Sequence, residues 1–378
     1  MRSSKHIAAL DGVRGLAILL VIADHVGRLV PTSGVADQAA KDIATSGWVG
    51  VDLFFVLSGF LITGILLDAK GGARYFRSFY ARRVLRIFPL YFAFVAAALW
   101  IAPALGWNGP NQGPLLHERQ GWFWTYMVNV LVARHGWAGA PPDTGHLWSL
   151  AVEEQFYLAW PLVVALSSRR ALARIAIGAI VTASLLRVAL VAAGVPGAAI
   201  YVLLPTRMDC LAAGALLAIA ARDETRWPVA RRALAAAAPF AALVLAGVFA
   251  ARHALEAERA PMQVAGYPAV VLLAALAIAT AVGPRLGDSV RSFWRWRPLR
   301  FFGRYSYAMY VLHPPIITLL VAAGLGPQQI PLVRGTALAR QLGFGALALA
   351  VTTAAALASW HLLEQPFLRL KRFVPYGR

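Results

Sequence analysis

The sequence predicts an all-α fold: a polytopic bundle of about ten transmembrane helices with both termini in the cytoplasm. Of its 378 residues, 59% are hydrophobic and only 14% are charged, whereas soluble domains are nearer one quarter charged. Long apolar runs recur along the chain, each close to the ~20 residues that cross ~30 Å of hydrocarbon. The loops between these runs are alternately rich and poor in Lys and Arg, as the positive-inside rule expects.

Ten apolar stretches are long enough to be membrane helices. We place them near residues 7–29, 47–68, 78–102, 147–167, 171–193, 199–220, 231–251, 263–283, 301–324 and 336–361. Because every second connection is basic, beginning with the loop 69–86, we expect both termini in the cytoplasm. We also expect one integral-membrane domain over residues 1–370, a short basic cytoplasmic tail over 371–378 and no additional soluble domain. The predicted location is the cytoplasmic (inner) membrane.

The longest connection, about residues 103–146, is expected on the outer side. Its second part, "GWFWTYMVNVLVA", is long enough for a short interfacial or re-entrant helix. Trp122, Trp124 and Tyr126 suit the level of the lipid headgroups. The alternative is an eleventh, poorly formed span, which the alternation of basic loops disfavours.

The formal net charge of +19 does not indicate a nucleic-acid partner. Lys and Arg cluster between the apolar runs, where they act as determinants of topology, and basic cytoplasmic loops also suit anionic membrane lipid or a phosphorylated cofactor. Cys210 is the only cysteine, so an internal disulfide and a thiolate metal cluster are both excluded. We expect no metal.

The first span carries ionisable residues, which are costly in hydrocarbon and mark functional sites. Arg14 and His25 are separated by about 20° around a helix and about 16 Å along it. Asp11 falls on the same face, and Asp24 points about 100° away from His25. Each residue alone is interpreted as structural: Arg14 would extend its charged group toward the membrane surface, and His25 would be a core histidine whose hydrogen bonds are made within the protein. The three residues on one face predict a site.

Arg83 and Arg86 lie at the cytoplasmic edge of the third span. Being three residues apart, they share a helical face. Two guanidiniums in this arrangement suit a phosphate group, which they can bind through forked hydrogen bonds. The alternative is positive-inside charge alone, which explains the number of Arg residues well and their spacing less well.

The fourth span presents a polar stripe of His146, Ser149, Glu153 and Tyr157, which follow steps of three and four. Glu154 lies on the flank of this stripe. A buried Glu153 needs a cation or a hydrogen-bond partner. It would either orient an imidazole from another span, as the acid of a catalytic triad does, or pair with an Arg for stability.

The other residues singled out within the spans are interpreted mainly as structural. Gly59, Thr63 and Gly64 are small residues that let a neighbouring helix approach closely. For Asp52 a structural and a functional role are equally open. The remaining ionisable residues of this kind are Arg207, Asp209, His313 and Glu364.

Seven segments together resemble the membrane-bound acyltransferase-3 family. They are "LDGVRGLAILLVIADH", "GVDLFFVLSGFLIT", "FYARRVLRIFPLY", "HLWSLAVEEQFYLAWP", "TRMDCLAAGALLA", "FFGRYSYAMYVLH" and "LLEQPF". They occur in the family's order and extend from one end of the chain to the other. Each segment alone is a weak signal, but the set is highly specific.

The resemblance implies ten membrane helices and transfer of an acyl group, usually acetyl, from coenzyme A to a sugar hydroxyl. The family's Arg-x10-His signature falls on Arg14 and His25, and its Arg-x-x-Arg element falls on Arg83 and Arg86. Its acidic residue in "SLAVEEQFY" is best matched by Glu153. The expected partners are therefore acetyl-CoA or another acyl-CoA as donor and a cell-envelope glycan or lipid-linked sugar as acceptor. A macrolide or other small molecule is the alternative acceptor.

The hypothesis that follows assigns two kinds of role. Arg83 and Arg86, with Arg14, bind the nucleotide phosphates of the donor. His25 acts as general base on the acceptor hydroxyl, with a transient acyl-imidazole as the variant, and Glu153 orients or tunes His25. The rival class is a transporter, in which Arg14 binds an anionic solute and His25 relays protons. The lack of evident inverted repeats counts against a transporter.

Overall fold

The computed structural model describes residues 7–32, 34–104, 106, 112–252, 254–283, 288–332 and 336–375. Within these residues the regular secondary structure is helical. The α-helices are α1 (Ala8–Leu29), α2 (Val35–Thr45), α3 (Val49–Ala69), α4 (Tyr75–Ala96), α5 (Ala102–Ala104), α6 (Gln112–Trp124), α7 (Val128–His135), α8 (Trp148–Leu166), α9 (Arg169–Ala192), α10 (Gly197–Val202), α11 (Leu204–Ala220), α12 (Arg226–Arg252), α13 (Tyr267–Val282), α14 (Asp288–Trp294), α15 (Arg297–Leu320), α16 (Leu338–Ser359) and α17 (Gln365–Arg369).

Shorter helical segments of other types extend or join these helices. They are π-helical at Ala97–Ile101, Met262–Gly266, Val321–Leu325 and Trp360–Glu364, and 3-10 helical at Ser46–Trp48, Trp137–Gly139, Gly145–Leu147, Pro327–Gln329 and Leu370–Phe373.

Eight helical stretches of the described chain are long and apolar enough to cross a membrane. They are Val35–Ala69, Tyr75–Ala104, Arg169–Ala192, Gly197–Ala220, Arg226–Ala251, Met262–Val282, Arg297–Gln329 and Leu338–Phe373. Each matches one of the predicted spans. The other two predicted spans are occupied by α1 and α8, which have 22 and 19 residues. These are the two helices that carry the polar stripes recognised in the sequence.

The chain divides into two compact units. The first unit comprises Met1–Leu57 and Ala220–Ala356, and the second comprises Ser58–Ile219 and Leu357–Arg378. Each unit is therefore built from segments that are distant in sequence. Helices α3 and α16 each contribute residues to both units.

In the first unit, α1 and α15 pack backbone against backbone. A Cβ atom on Gly303 would lie 1.7 Å from the carbonyl oxygen of Asp11, and one on Gly15 would lie 1.9 Å from that of Leu299. A Cβ atom on Gly12 would likewise lie 2.1 Å from the carbonyl oxygen of Trp294, just before α15. Small residues of this kind allow close helix approach where lipid provides no hydrophobic driving force. The glycines of "LDGVRGL" are thus packing residues.

In the second unit, α3 packs closely against α11 and α8. A Cβ atom on Gly59 would lie 1.9 Å from the carbonyl oxygen of Leu211. The indole Nε1 of Trp160 donates a hydrogen bond of 2.8 Å to the hydroxyl of Thr63. The packing role predicted for Gly59 and Thr63 is therefore confirmed.

A buried ion pair joins α9 to α11 in the same unit. The Nη2 atom of Arg187 lies 2.7 Å from Oδ2 of Asp209, and both side chains are 1–2% exposed. Arg187 also donates hydrogen bonds to the carbonyl oxygen of Thr206 and the hydroxyl of Ser184. The structural interpretation of Asp209 agrees with this pairing. Arg187 was not among the candidate residues of the sequence, and its role appears only from this contact.

The predicted short helix of the outer connection is two helices, α6 and α7. They are separated at Tyr126, which has a positive φ of 54°. The Tyr126 ring stacks on Tyr91 of α4 with a centroid distance of 4.0 Å, and the Tyr91 hydroxyl donates a hydrogen bond of 2.8 Å to the carbonyl oxygen of Phe123. Neither helix is among the eight stretches that could cross a membrane in the described chain.

Candidate functional site

His25 of α1 is held so that one ring nitrogen is available as a base. Its Nδ1 atom lies 2.9 Å from the carbonyl oxygen of Val21. A carbonyl oxygen only accepts, so Nδ1 carries the proton, and in the neutral ring Nε2 carries the lone pair. The side chain is 34% exposed. His25 therefore combines a fixed tautomer with an accessible side chain.

Asp24 is nearly completely buried beside His25, and its partner is Arg28. The Nε atom of Arg28 lies 3.1 Å from both carboxylate oxygens, and Nη2 lies 2.9 Å from Oδ1. The Oδ2 atom of Asp24 is 3.7 Å from Nδ1 of His25, which is too long for a hydrogen bond. This geometry agrees with the separation of about 100° expected between Asp24 and His25 around the helix. At 3.7 Å the carboxylate would nevertheless attract an imidazolium.

His313 of α15 lies against His25 within the first unit. The two imidazole rings meet edge to face, with centroids 4.6 Å apart and planes at 90°. Pro314 has no N–H, so the carbonyl oxygen of Tyr310 cannot receive the usual helical bond from that residue. Nδ1 of His313 lies 2.8 Å from this oxygen instead. His313 is fully buried, and its own tautomer is thereby fixed.

Arg14 and Asp11 lie on α1 toward its N-terminal end. The Nη1 atom of Arg14 is 3.2 Å from Oδ1 of Asp11, which agrees with their predicted position on one helix face. The Arg14 side chain is partly exposed. The backbone of Asp11 is also the surface on which Gly303 packs, so the position of this ion pair is coupled to the contact between α1 and α15.

Arg83 of α4 faces α8 in the second unit. Its guanidinium carbon lies 5.6 Å from the ring centroid of Tyr157 and 5.9 Å from that of Phe79. Such contacts are typical of cation–π interactions. The guanidinium also interacts electrostatically with Glu154, which the sequence placed on the flank of the polar stripe. Glu153 interacts electrostatically with Tyr157, whose hydroxyl is hydrogen-bonded to Ser58.

Arg86 lies one turn further along α4. Two residues of the C-terminal segment, Glu364 and Lys371, lie near it. It interacts electrostatically with Glu364 and with Lys371. Glu364 is buried, and its Oε1 atom accepts a hydrogen bond of 3.2 Å from the hydroxyl of Ser359. Lys371 was not among the candidate residues of the sequence. Its only signal was its place in the basic run "RLKRF".

The structure therefore groups the predicted residues in two sets. Arg14 and His25 belong to α1 of the first unit, and Arg83, Arg86 and Glu153 belong to α4 and α8 of the second. The predicted contact between His25 and Glu153 stays a prediction. Among the residues that the structure describes, no group of three or more His, Cys, Asp or Glu side chains is arranged to hold a metal ion.

The family of the chain is identified by comparison with known protein families. The sequence model described as an acyltransferase domain matches residues 7–360 of the chain. The chain belongs to this acyltransferase family. Membership confirms the resemblance found in the seven sequence segments and favours an enzyme over a transporter. Together with the eight candidate spans, it makes the chain a multi-pass membrane protein.

Curated relatives of the chain include proteins named as O-acetyltransferases. The chain is 30% identical over 331 residues to the peptidoglycan O-acetyltransferase OatA of Listeria monocytogenes, covering 84% of this chain and 50% of the relative. It is 31% identical over 337 residues to a putative peptidoglycan O-acetyltransferase, YrhL, of Bacillus subtilis, covering 83% and 49%.

A third relative, the O-acetyltransferase OatA of Staphylococcus aureus, is 26% identical over 340 residues, covering 84% of this chain and 51% of the relative. The chain thus spans about half the length of the curated relatives it matches. No solved structure matches it.

Proposed function

We propose that the protein transfers an acetyl group from cytoplasmic acetyl-CoA to a hydroxyl of a cell-envelope glycan, with His25 as general base. The observation that carries the proposal is the geometry of His25 in a chain of this family. Its Nδ1 atom is 2.9 Å from the carbonyl oxygen of Val21, which leaves Nε2 with the lone pair. The peptidoglycan O-acetyltransferases among the relatives support a glycan acceptor.

In the proposed reaction, Nε2 of His25 removes the proton of the acceptor hydroxyl. The hydroxyl oxygen attacks the thioester carbonyl carbon, a C–O bond forms and the C–S bond breaks. The proton on Nε2 then passes to the departing thiolate of coenzyme A. The transient imidazolium is stabilised by the Asp24 carboxylate, 3.7 Å from Nδ1. His313 packs against the ring and limits its rotation.

The proposed donor site uses cations of the second unit. Arg83 and Arg86 bind the nucleotide phosphates, because guanidiniums form forked hydrogen bonds with phosphate oxygens. The Arg83 guanidinium is oriented by the rings of Phe79 and Tyr157. Arg14 is proposed to act at the cytoplasmic end of α1 on the donor, and Glu153 is proposed to orient or tune His25.

The proposed topology has ten membrane spans in the cytoplasmic membrane, with both termini in the cytoplasm. Helices α1 and α8 would be the two spans that are added to the eight apolar stretches. Two acidic side chains of α1 face protein, since Asp11 and Asp24 are both less than 10% exposed. Intramembrane ionisable residues that face the bundle interior are typical of functional sites.

The decisive experiment measures acetyl transfer by the purified protein in lipid nanodiscs. Radiolabelled acetyl-CoA is supplied with a lipid-linked peptidoglycan precursor, and product is followed by mass spectrometry of the glycan. General-base catalysis contributes about 10²- to 10⁴-fold, so we expect His25→Ala to lower kcat by that factor. His361→Ala changes an exposed histidine of the second unit and should transfer at the wild-type rate.

Two results would contradict the proposal. If His25→Ala transferred acetyl as fast as the wild type, His25 would not be the base. If the wild type acetylated a macrolide or another small hydroxyl compound and no glycan, the proposed acceptor class would be wrong while the chemistry would stand.

The donor site is tested separately. We expect Arg83→Met and Arg86→Met each to raise KM for acetyl-CoA about tenfold or more, since hydrogen bonds to charged groups contribute about 1.5–3 kcal/mol. Arg77→Met removes an exposed cation from the same basic segment and is the matched control. An equal rise in KM for Arg77→Met would show that general charge, rather than the Arg-x-x-Arg pair, recruits the donor.

A further inference from the structure

The segment Leu370–Pro375, here called the docked segment, is held against the start of α4 in the second unit. Nη1 of Arg82 donates hydrogen bonds of 3.2 Å and 2.9 Å to the carbonyl oxygens of Lys371 and Val374. The hydroxyl of Ser78 donates one of 2.8 Å to the carbonyl oxygen of Pro375. Three hydrogen bonds to backbone atoms thus fix the segment beside the helix that carries the Arg-x-x-Arg pair.

This docking brings a fourth cation to the cluster on α4. The positive charges of Arg86, Arg83 and Arg82 act on the Lys371 ammonium, whose backbone Arg82 contacts directly. Like charges collected at a partly buried position repel one another, and low dielectric strengthens the repulsion. The carboxylates of Glu154 and Glu364 offset part of this charge at Arg83 and Arg86, and an anion of several charges bound between the cations would offset more of it.

Arg372, the next residue in the chain, has surroundings different from those of Lys371. Arg372 is exposed, and its guanidinium carbon lies 4.6 Å from the ring centroid of Phe373. An exposed cation such as Arg372 suits general attraction to anionic lipid, whereas Lys371 is half-buried. The Arg372 side chain is thus directed to Phe373, whereas the cations of α4 act on the Lys371 ammonium.

We propose that Lys371 binds the nucleotide phosphates of the donor together with Arg83 and Arg86, the docked segment forming a second wall of the phosphate site. This inference rests on the proposed function, because it assumes that coenzyme A carries the acyl group. Coenzyme A bears a diphosphate and a 3′-phosphate, so several cations can be neutralised at once. Lysine contributes a point charge and arginine a planar fork, and the two together suit phosphates in different orientations.

The kinetic test compares two acetyl donors in the nanodisc assay. Acetyl-CoA carries the nucleotide phosphates, and acetyl-pantetheine lacks them. We expect Lys371→Met to raise KM for acetyl-CoA about 10- to 100-fold without changing kcat, and to leave KM for acetyl-pantetheine unchanged. Lys371→Arg should restore most of the affinity. Arg372→Met is the matched control and should behave as the wild type with both donors.

A second measurement on the wild type does not depend on a variant that folds. Lysines are labelled with an amine-reactive reagent in the presence and absence of adenosine 3′,5′-bisphosphate, and the modified peptides are quantified. We expect the bisphosphate to lower labelling of Lys371 at least tenfold, while Lys41 of the first unit is labelled equally in both samples.

The outcomes separate this inference from the proposed function. If the wild type transfers acetyl from acetyl-CoA while Lys371→Met keeps the wild-type KM, Lys371 does not bind the donor and only this inference is wrong. An equal rise in KM for acetyl-pantetheine would also overturn it, because the effect would not involve phosphate. If the wild type does not use acetyl-CoA at all, the proposed function fails, and unprotected labelling of Lys371 would overturn the inference as well.

Discussion

The contact between α1 and α15 gives the most direct prediction, the effect of Gly303→Ala. A Cβ atom on Gly303 would lie 1.7 Å from the carbonyl oxygen of Asp11, whereas ordinary van der Waals contact begins near 3.4 Å. The two helices must therefore move apart by about 1.7 Å, and the opposing atom belongs to the backbone, which cannot rotate away. Overpacking of this kind costs about 1–3 kcal/mol.

The same displacement should affect activity, because α1 carries His25 and α15 carries His313. The rings of these residues are in edge-to-face contact at 4.6 Å, so moving the helices apart changes that contact. We expect the melting temperature of Gly303→Ala in detergent to fall by about 2–6 °C, and kcat for acetyl transfer to fall more than KM for acetyl-CoA rises. Differential scanning fluorimetry and the nanodisc assay measure the two effects.

The matched control is Gly247→Ala in α12 of the same unit. A Cβ atom there meets nothing within 4 Å, and alanine favours helix over glycine by about 0.5–1 kcal/mol. We expect its melting temperature to stay the same or rise slightly. The reasoning is refuted if Gly303→Ala melts at the wild-type temperature, or if Gly247→Ala loses as much stability as Gly303→Ala.

Three further predictions test other contacts. Arg187→Met leaves the buried carboxylate of Asp209 without its cation and should destabilise the protein by about 3–5 kcal/mol, seen as a lower melting temperature. Adding Asp209→Leu should recover most of the loss, and no recovery would show that the pair is not the cause. Trp160→Phe removes the hydrogen bond to Thr63 and should cost about 0.5–1.5 kcal/mol; an unchanged melting temperature would contradict this. His313→Phe removes the donor to the carbonyl oxygen of Tyr310. It should lower kcat about tenfold and leave KM for acetyl-CoA unchanged. A wild-type kcat would show that His313 does not position His25.

Contacts between residues three or four apart were largely predictable from the sequence. The pair of Asp11 and Arg14 follows from helical periodicity alone, because residues three apart lie on one face. The weak direct contact between Asp24 and His25 follows from the same geometry. The eight apolar stretches were recognisable because membrane thickness fixes helix length, and the seven family segments indicated the acyltransferase family that the comparison confirms.

Contacts between distant segments depended on the tertiary structure. Nothing in the local pattern showed that His313 meets the ring of His25, that Arg187 pairs with Asp209, or that Lys371 is held beside α4. Periodicity states which residues share a helix face, but it does not state which face of another helix lies opposite. That choice depends on shape, and in particular on glycines such as Gly303, whose missing side chain lets α15 approach α1 closely enough to bring the two histidines together.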